Sequence, residues 1–398
     1  MPLALSTALL LALTTLRPAA TTHDTYELVA LDGTRTSRPA AGFETNDPRL
    51  LGAHVVHFDA VSEPIEPTND TCELALAGGE VWIGKLTARG GEELAVTLLP
   101  SVVLVASIDE LATLVFRKRI PAEWTGTLGP AKEGDRLYRL KGNALDVLDG
   151  AIEEFTAQGV RFHGTRVDSR LFTWGEVAAL FVEGLGAHAN DEKPAAGAPV
   201  RVELVQGSRV KGGLKSIADG KLALTARREQ VIELPLGALR ELFVDDGRAQ
   251  WLSDAAPTRA EASRPFGDDL GMTWRHRVDR SVTGKTLRAG GRAYAHGLGV
   301  HAPSTLAWKV EPGWKTLRGR VAIDDETEAL AARGAVQFRV LVDGKKAWES
   351  AVVRGGDPPI DLPGIELTGA SELVLEVDQG PESFRGDRAD WLELLVVK

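Results

Sequence analysis

The sequence predicts a mostly β protein in which tandem small β-barrels precede a C-terminal β-sandwich. Three observations carry this expectation. Apolar residues recur at every second position in short segments, as in Val202/Leu204, Leu222/Leu224, Ile232/Leu234 and Val336/Phe338/Val340/Val342, which is the period of half-buried strands. Turn-forming clusters such as QGS and ADG separate these segments at hairpin spacing. No long helical period interrupts the last third of the chain.

The 398 residues suffice for several domains. The formal net charge of −10 argues against nucleic acid as a general partner, because phosphate binding needs a basic surface. Cys72 is the one cysteine, which excludes an intrachain disulfide and a cysteine-based zinc site.

In chain order, residues 1–22 read as a signal peptide. The stretch MPLALSTALLLALTTL is apolar, too short to span a bilayer, and followed by Ala19 and Ala20. Its first charged side chain is Arg17, so the usual basic residues before the apolar run are missing. The expected location is therefore secreted, periplasmic or in the cell envelope. No later segment is apolar enough to form a transmembrane segment. Residues 23–66 read as an N-terminal arm packed on the first barrel, or as a degenerate repeat.

Three segments then match without gaps: SIDELATLVF (107–116), TWGEVAALFV (173–182) and PLGALRELFV (235–244). Each has apolar residues at its second, fifth, eighth and ninth positions. A Val-x-x-Gly signal precedes each: Val81–Gly84, Val147–Gly150 and Val210–Gly213. Its valine lies 27, 27 and 26 residues before the second position of the ten-mer. Two signals at near-constant separation define three repeats, 67–117, 132–184 and 199–247. With four or five short strands each, they suit a small barrel of SH3-like or Sm-like type. They share apolar and glycine positions and little else, the pattern that packing alone produces. The intervening stretches TGTLGPAKEGD and GAHANDEKPAAGAP read as linkers.

After residue 262 strand-like runs come at regular spacing, among them STLAWKV, TLRGRVAI, AVQFRVLVDG, SELVLEVD and WLELLVV. About 130 residues of such strands form an antiparallel sandwich. Here DRSVTGKTLRAGGRAYAHGLGVHAPS, VAIDDETEA, WES, RGGD and GDRADW, in that order, resemble the NPCBM family of carbohydrate-binding modules. The likeness covers residues 262–398. It implies a galactose-binding-like jelly roll, a carbohydrate ligand of galactose type, and calcium as an ion found in some relatives. No cofactor is required by the residues themselves.

Candidate residues follow from sugar chemistry. A sugar has apolar C–H faces and a rim of hydroxyls, so it suits an aromatic plate beside charged hydrogen-bonding groups. Trp348, Trp391, Asp387 and Asp390, with Arg354 and Asp357, supply such groups, although Trp391 also opens an apolar run and reads equally as core. His296 and His301 lie five apart on a strand, so their side chains diverge, and no third ligand is near. They read as hydrogen-bonded supports or as sugar contacts. Asp324, Asp325 and Glu326 are a poor catalytic pair, being adjacent. They read as oxygen ligands for calcium or as a solvated loop.

The chain is thus expected to be an exported, non-catalytic carbohydrate-binding protein. The alternative is an envelope scaffold with protein partners and no sugar ligand. A glycoside hydrolase is disfavoured, since the small barrels leave no room for a catalytic domain.

Overall fold

A computed structural model describes residues 25–39, 42–58, 67–124, 126–165, 167–183, 196–262, 273–381 and 385–398. The expected signal peptide lies outside the described residues. Strands dominate, joined by one-turn 3-10 helices.

The same pairing order occurs in three successive segments of the upstream half. In the third, Ala198–Leu204 pairs with both Arg209–Ala218 and Leu239–Val244, and Lys221–Thr225 links Arg209–Ala218 to Val231–Pro235. Alternate residues Val200, Val202, Leu222, Leu224, Ile232 and Leu234 turn inward, as their period requires. The apolar ten-mer supplies a 3-10 turn, Leu236–Ala238, and then the last strand.

No unit closes into the expected barrel. Among the described residues no ladder joins the fourth strand to the fifth; a 3-10 turn stands between them in the first and third units and a plain turn at residues 174–176 in the second. Nor are the units separate. Leu111–Val115 pairs with Val177–Phe181, and one apolar cluster runs from Tyr26 to Val244, so the upstream strands form a single 18-stranded sheet.

The glycines of the Val-x-x-Gly signal have a physical cause. A Cβ on Gly84 would lie 2.1 Å from the Thr97 carbonyl oxygen, and one on Gly150 would lie 2.0 Å from that of His163. Only glycine lets the bent second strand approach the third so closely. In the third unit the tight position is Gly212, 2.2 Å from the Thr225 oxygen, one residue before the glycine of the motif.

The arm docks elsewhere than expected. Thr25–Val29 pairs with Arg35–Pro39 and Val55–Phe58, and the latter pairs with Leu239–Val244 of the third unit, not with the first.

The C-terminal region is a two-sheet sandwich. One sheet holds Arg277–Val278, Gly297–His301, Arg388–Val397, Thr316–Ile323 and Ile360–Glu366. The other holds Arg259–Glu261, Ser304–Lys309, Glu372–Gln379, Ala335–Val342 and Lys345–Glu349. Ala249–Trp251 also pairs with Leu395–Val397, so the sandwich begins upstream of residue 262.

Arg388–Val397 is buried on both faces. Ala389, Trp391, Leu394 and Val396 enter the core between the sheets. Leu392 packs beneath the hairpin formed by Leu287–Ala289 and Arg292–Tyr294, and Leu395 packs with its strand neighbour Trp251 and with Val29, Val55 and Phe243 of the upstream half. This second face buries charge as well. Glu393 is 2% exposed and pairs with Arg35 (2.8 Å), His57 (3.3 Å) and Arg292 (3.7 Å). His296 is 1% exposed and faces Glu241 (3.4 Å), Glu203 (3.6 Å) and Asp279 (3.5 Å). Trp251 stacks on the His296 ring at 5.0 Å, and its indole N–H donates to Glu241.

Burial disfavours charge on His296, yet Glu241 and Asp279 push it up to about 10, from an ordinary 6.5. His57, where burial prevails over Glu393 and Glu241, is lowered instead. A base raised on folding contributes fully below its unfolded value and loses that contribution as pH rises through its folded value. Thermal melts of the full chain should therefore show stability falling between about pH 6.5 and 10, and His296→Gln should flatten that slope; an unchanged slope would remove His296 as its cause. Trp251→Ala should destabilise by about 3–5 kcal/mol, the scale for emptying a buried tryptophan site, as read by denaturant unfolding.

Candidate functional site

The motifs quoted above meet at one rim of the sandwich. Gly297–His301 lies alongside the last strand, with His301 opposite Arg388 and Gly299 opposite Asp390. Asp324 caps the Asp325–Ala329 turn by accepting from the Glu326 amide. The RGGD loop presses on that region, since a Cβ on Gly355 would sit 2.3 Å from the Arg333 oxygen and 2.9 Å from the Thr327 hydroxyl. Asp387 Oδ1 accepts from the Ala335 amide at 2.9 Å, tying in the last loop.

Beside this rim stands the hairpin of residues 287–294. Its turn, Gly290–Gly291, is left-handed at both residues (φ 60° and 80°), a conformation that favours glycine. Both turn amides donate to the Asp325 carboxylate, at 2.9 and 2.8 Å. The Arg288 amide donates to Asp324 Oδ2 at 3.1 Å. Between hairpin and turn lies a cleft of about 550 Å³, lined by Lys285, Thr286, Arg288, Asp325, Glu326 and Glu328, with Asp324 and Gly291 completing the wall.

Its chemistry is polar. Lys285, 72% exposed, reaches toward Glu326 (3.8 Å), which Arg388 also approaches (3.4 Å) and to which the Thr283 hydroxyl donates. Ammonium, guanidinium and hydroxyl donors thus face carboxylate acceptors across the cleft, a set suited to a polyhydroxylated ligand. Under the cleft, burial and the neighbouring Asp324 hold Asp390 well above the carboxylate range, and burial raises Asp324 too. Desolvation disfavours the charged form of both, and neither Asp390 carboxyl oxygen has a hydrogen-bond partner among the described residues, so the floor of the cleft favours a protonated Asp390.

Calcium does not fit the acidic run. Asp325 is committed to the glycine amides and Asp324 to the Arg288 and Glu326 amides; Glu326 accepts from Thr283 through Oε2, and its Oε1 stands 3.4 Å from Arg388 with no hydrogen-bond partner among the described residues. Among the described residues no three His, Cys, Asp or Glu side chains converge as metal ligands.

Several expected ligand contacts are corrected by burial. Trp391 is core, edge-on to Phe338 at 5.0 Å. Asp387 and Asp390 are buried within the rim, and His296 lies in the ionic cluster beneath the sheet. His301 is buried, with Nδ1 against the Ala302 carbonyl and its ring stacked on Trp274 at 5.2 Å. Trp348 is half-buried against the core on an edge strand of the other sheet. Arg354 and Asp357 are exposed; the Arg354 amide donates to Asp357 Oδ2 at 2.8 Å, closing the RGGD turn. Of the predicted residues, Asp324, Asp325 and Glu326 reach the cleft. Lys285, Thr286, Arg288 and Glu328 were missed, although KTLRAGGRAY displays the available signal, cations flanking a Gly-Gly turn.

Residues 248–396, well under half of the chain, match the NPCBM/NEW2 domain. Alpha-1,3-galactosidase B of Akkermansia muciniphila is 35% identical over 122 residues, covering 30% of this chain and 15% of that protein; the chain therefore spans a small fraction of that relative. Among solved structures, the CBM51 module of Clostridium perfringens GH95 in complex with methyl-galactose is 20% identical, covering 37% of this chain and 99% of the module, with TM-score 0.33. The CBM51-2 and INT domains of C. perfringens ZmpB, with GlcNAc, are 24% identical, covering 52% and 45%, with TM-score 0.34.

The acid pair yields a test of its own. A carboxyl raised on folding costs stability once pH exceeds its unfolded value. Asp390→Asn removes the buried charge and should raise stability at pH 8 by on the order of 1–2 kcal/mol, with little change at pH 4. Denaturant unfolding at the two pH values checks this; destabilisation at pH 8 would refute a raised Asp390.

Proposed function

We propose that the chain is an exported, non-catalytic carbohydrate-binding protein that holds a neutral, galactose-type sugar in the cleft between the 287–294 hairpin and the Asp325–Ala329 turn. The observation that carries this reading is the cleft itself. It combines donors from Lys285, Thr286 and Arg288 with acceptors from Asp325, Glu326 and Glu328, within a domain of a carbohydrate-binding class. Galactose-type specificity is favoured by the likeness to a galactosidase.

A binding role rather than hydrolysis is supported by how the carboxylates are used. Asp325 orders the glycine turn, Asp324 accepts from the Arg288 and Glu326 amides, and Asp390 is buried beneath the cleft, which leaves them poorly placed for acid and nucleophile duties across a glycosidic bond. Because the relative is a glycosidase, an accessory role beside such enzymes is the form of this function that we favour.

Calorimetric titration of the full chain with methyl galactoside should give saturable binding, unchanged by calcium chelation. Arg288→Ala should weaken it about tenfold, the effect of losing one or two charge-assisted hydrogen bonds. Absence of binding to methyl galactoside and to a glycan array would overturn the sugar reading. Release of reducing sugar would overturn the non-catalytic one.

A further inference from the structure

We infer that Glu27, on the N-terminal strand some 260 residues away in sequence from the hairpin, is a positioning residue for the cleft, so that the upstream half serves sugar binding without touching sugar. This rests on the cleft reading above.

The hairpin has little to hold it by its own hydrogen bonding. Leu287–Ala289 and Arg292–Tyr294 pair only with each other, three residues against three. A two-stranded ribbon of that size is not stable alone, so its place is set by what it packs on. Leu287, Ala289 and Tyr294 rest on Ala322 and Leu392. Asp325 holds the turn, and Gly290 abuts Pro359.

The remaining anchor comes from outside the sandwich. Arg292 follows directly on Gly291 of the cleft wall, and its guanidinium donates to Glu27 Oε2 at 2.7 Å. Glu27 is held in turn by Arg35 at 2.9 Å, Arg35 by Glu393 at 2.8 Å, and Glu393 pairs back to Arg292 at 3.7 Å. The four groups form a closed ring of alternating charge. Apolar contact under the hairpin allows sliding, whereas a ring of directed ion pairs fixes one position. The shortest link to Arg292 in that ring is the one from the arm. Burial opposes charge on Glu27, but Arg292 and Arg35 keep its carboxyl below the ordinary range, so the ring stays ionised at neutral pH.

The experiment uses the full chain and methyl galactoside, with affinity from calorimetry and folding from thermal melts. Glu27→Ala should weaken binding about five- to tenfold, the scale for losing a support that acts through another group. Glu27→Gln retains a carbonyl for Arg292 and should stay within about twofold of wild type. Arg292→Ala combined with Glu27→Ala should lose no more than the larger single effect, since both break one ring. Arg227→Ala, which breaks the Glu80 and Glu110 pairs between the first and third units, should lower the melting temperature without changing affinity. Unchanged affinity in Glu27→Ala, or equal loss in Arg227→Ala, would overturn the inference. If the wild-type chain binds no galactoside, the sugar reading falls by itself. Hydrogen exchange then tests the brace alone: faster exchange at Gly290 and Gly291 in Glu27→Ala supports it, and unchanged exchange overturns it.

Discussion

A carboxylate buried in the middle of the last strand dictates how the two halves of this protein meet. Glu393 lies where the inward positions jump from Trp391 to Leu394 instead of alternating, and its backbone is left-handed (φ 46°). Opposite it the ladder to Thr316–Ile323 slips between Arg318 and Arg320. This is a bulge: one extra residue resets the parity of the strand. A non-glycine residue in that conformation costs about 1 kcal/mol or more, and an unpaired buried carboxylate would cost several more. Arg35 and Arg292 supply the charge that offsets the burial, and Arg35 belongs to the arm.

The bulge also explains why the last strand is apolar on both sides. With parity reset, Leu394 and Val396 return to the core between the sheets while Leu395 meets Val29, Val55, Phe243 and Trp251. A sheet face that a free sandwich would turn to water is thus covered by upstream strands. His296 lies in the same layer, between Glu241 and Glu203 of the third unit and Asp279 of the sandwich. The joint is part core and part ion network, and the ionic part gives it direction.

The sequence made the strands legible because period-2 burial is a local signal. The VRVELV and VQFRVLV runs show it plainly, and the ordered motifs HGLGVHAPS, DDE, RGGD and GDRADW do come together at one rim. The chemistry of that rim was less legible. Asp390 occupies a turn-and-strand junction in the sequence and reads as a surface group, yet it is buried, while Trp391, which opens an apolar run, lies in the core between the sheets. Glu203, Glu241 and Glu393 sit in alternating strands where acidic residues usually face water. Their partners lie up to 358 residues away, and no local pattern records a pairing of that span. The closed barrels failed for a related reason: apolar spacing reports which residues face inward, not whether the first and last neighbours of a curled sheet bond to each other or to another unit. WLELLVV carried another overlooked clue, since a run apolar at every position except Glu393 marks a strand covered on both faces.

The cleft's composition makes rigidity matter. Its lining has no aromatic plate, so the sugar binding proposed for it would fall to hydrogen bonds, whose strength depends on tenths of an ångström and on angle. Each bond gives a modest net contribution, because both partners leave water to make it; donors that must also be ordered on binding lose much of that gain. Arg288 and the glycine turn therefore need to be in position beforehand. Asp325 does this from below through two amides, and the Glu27–Arg292 contact does it from the side. Both supports use a carboxylate as acceptor, and charge-assisted hydrogen bonds of this kind are directional. On the proposed reading, a site without aromatics is thereby given a fixed shape, in part by a Glu27 carboxylate that the ligand never meets.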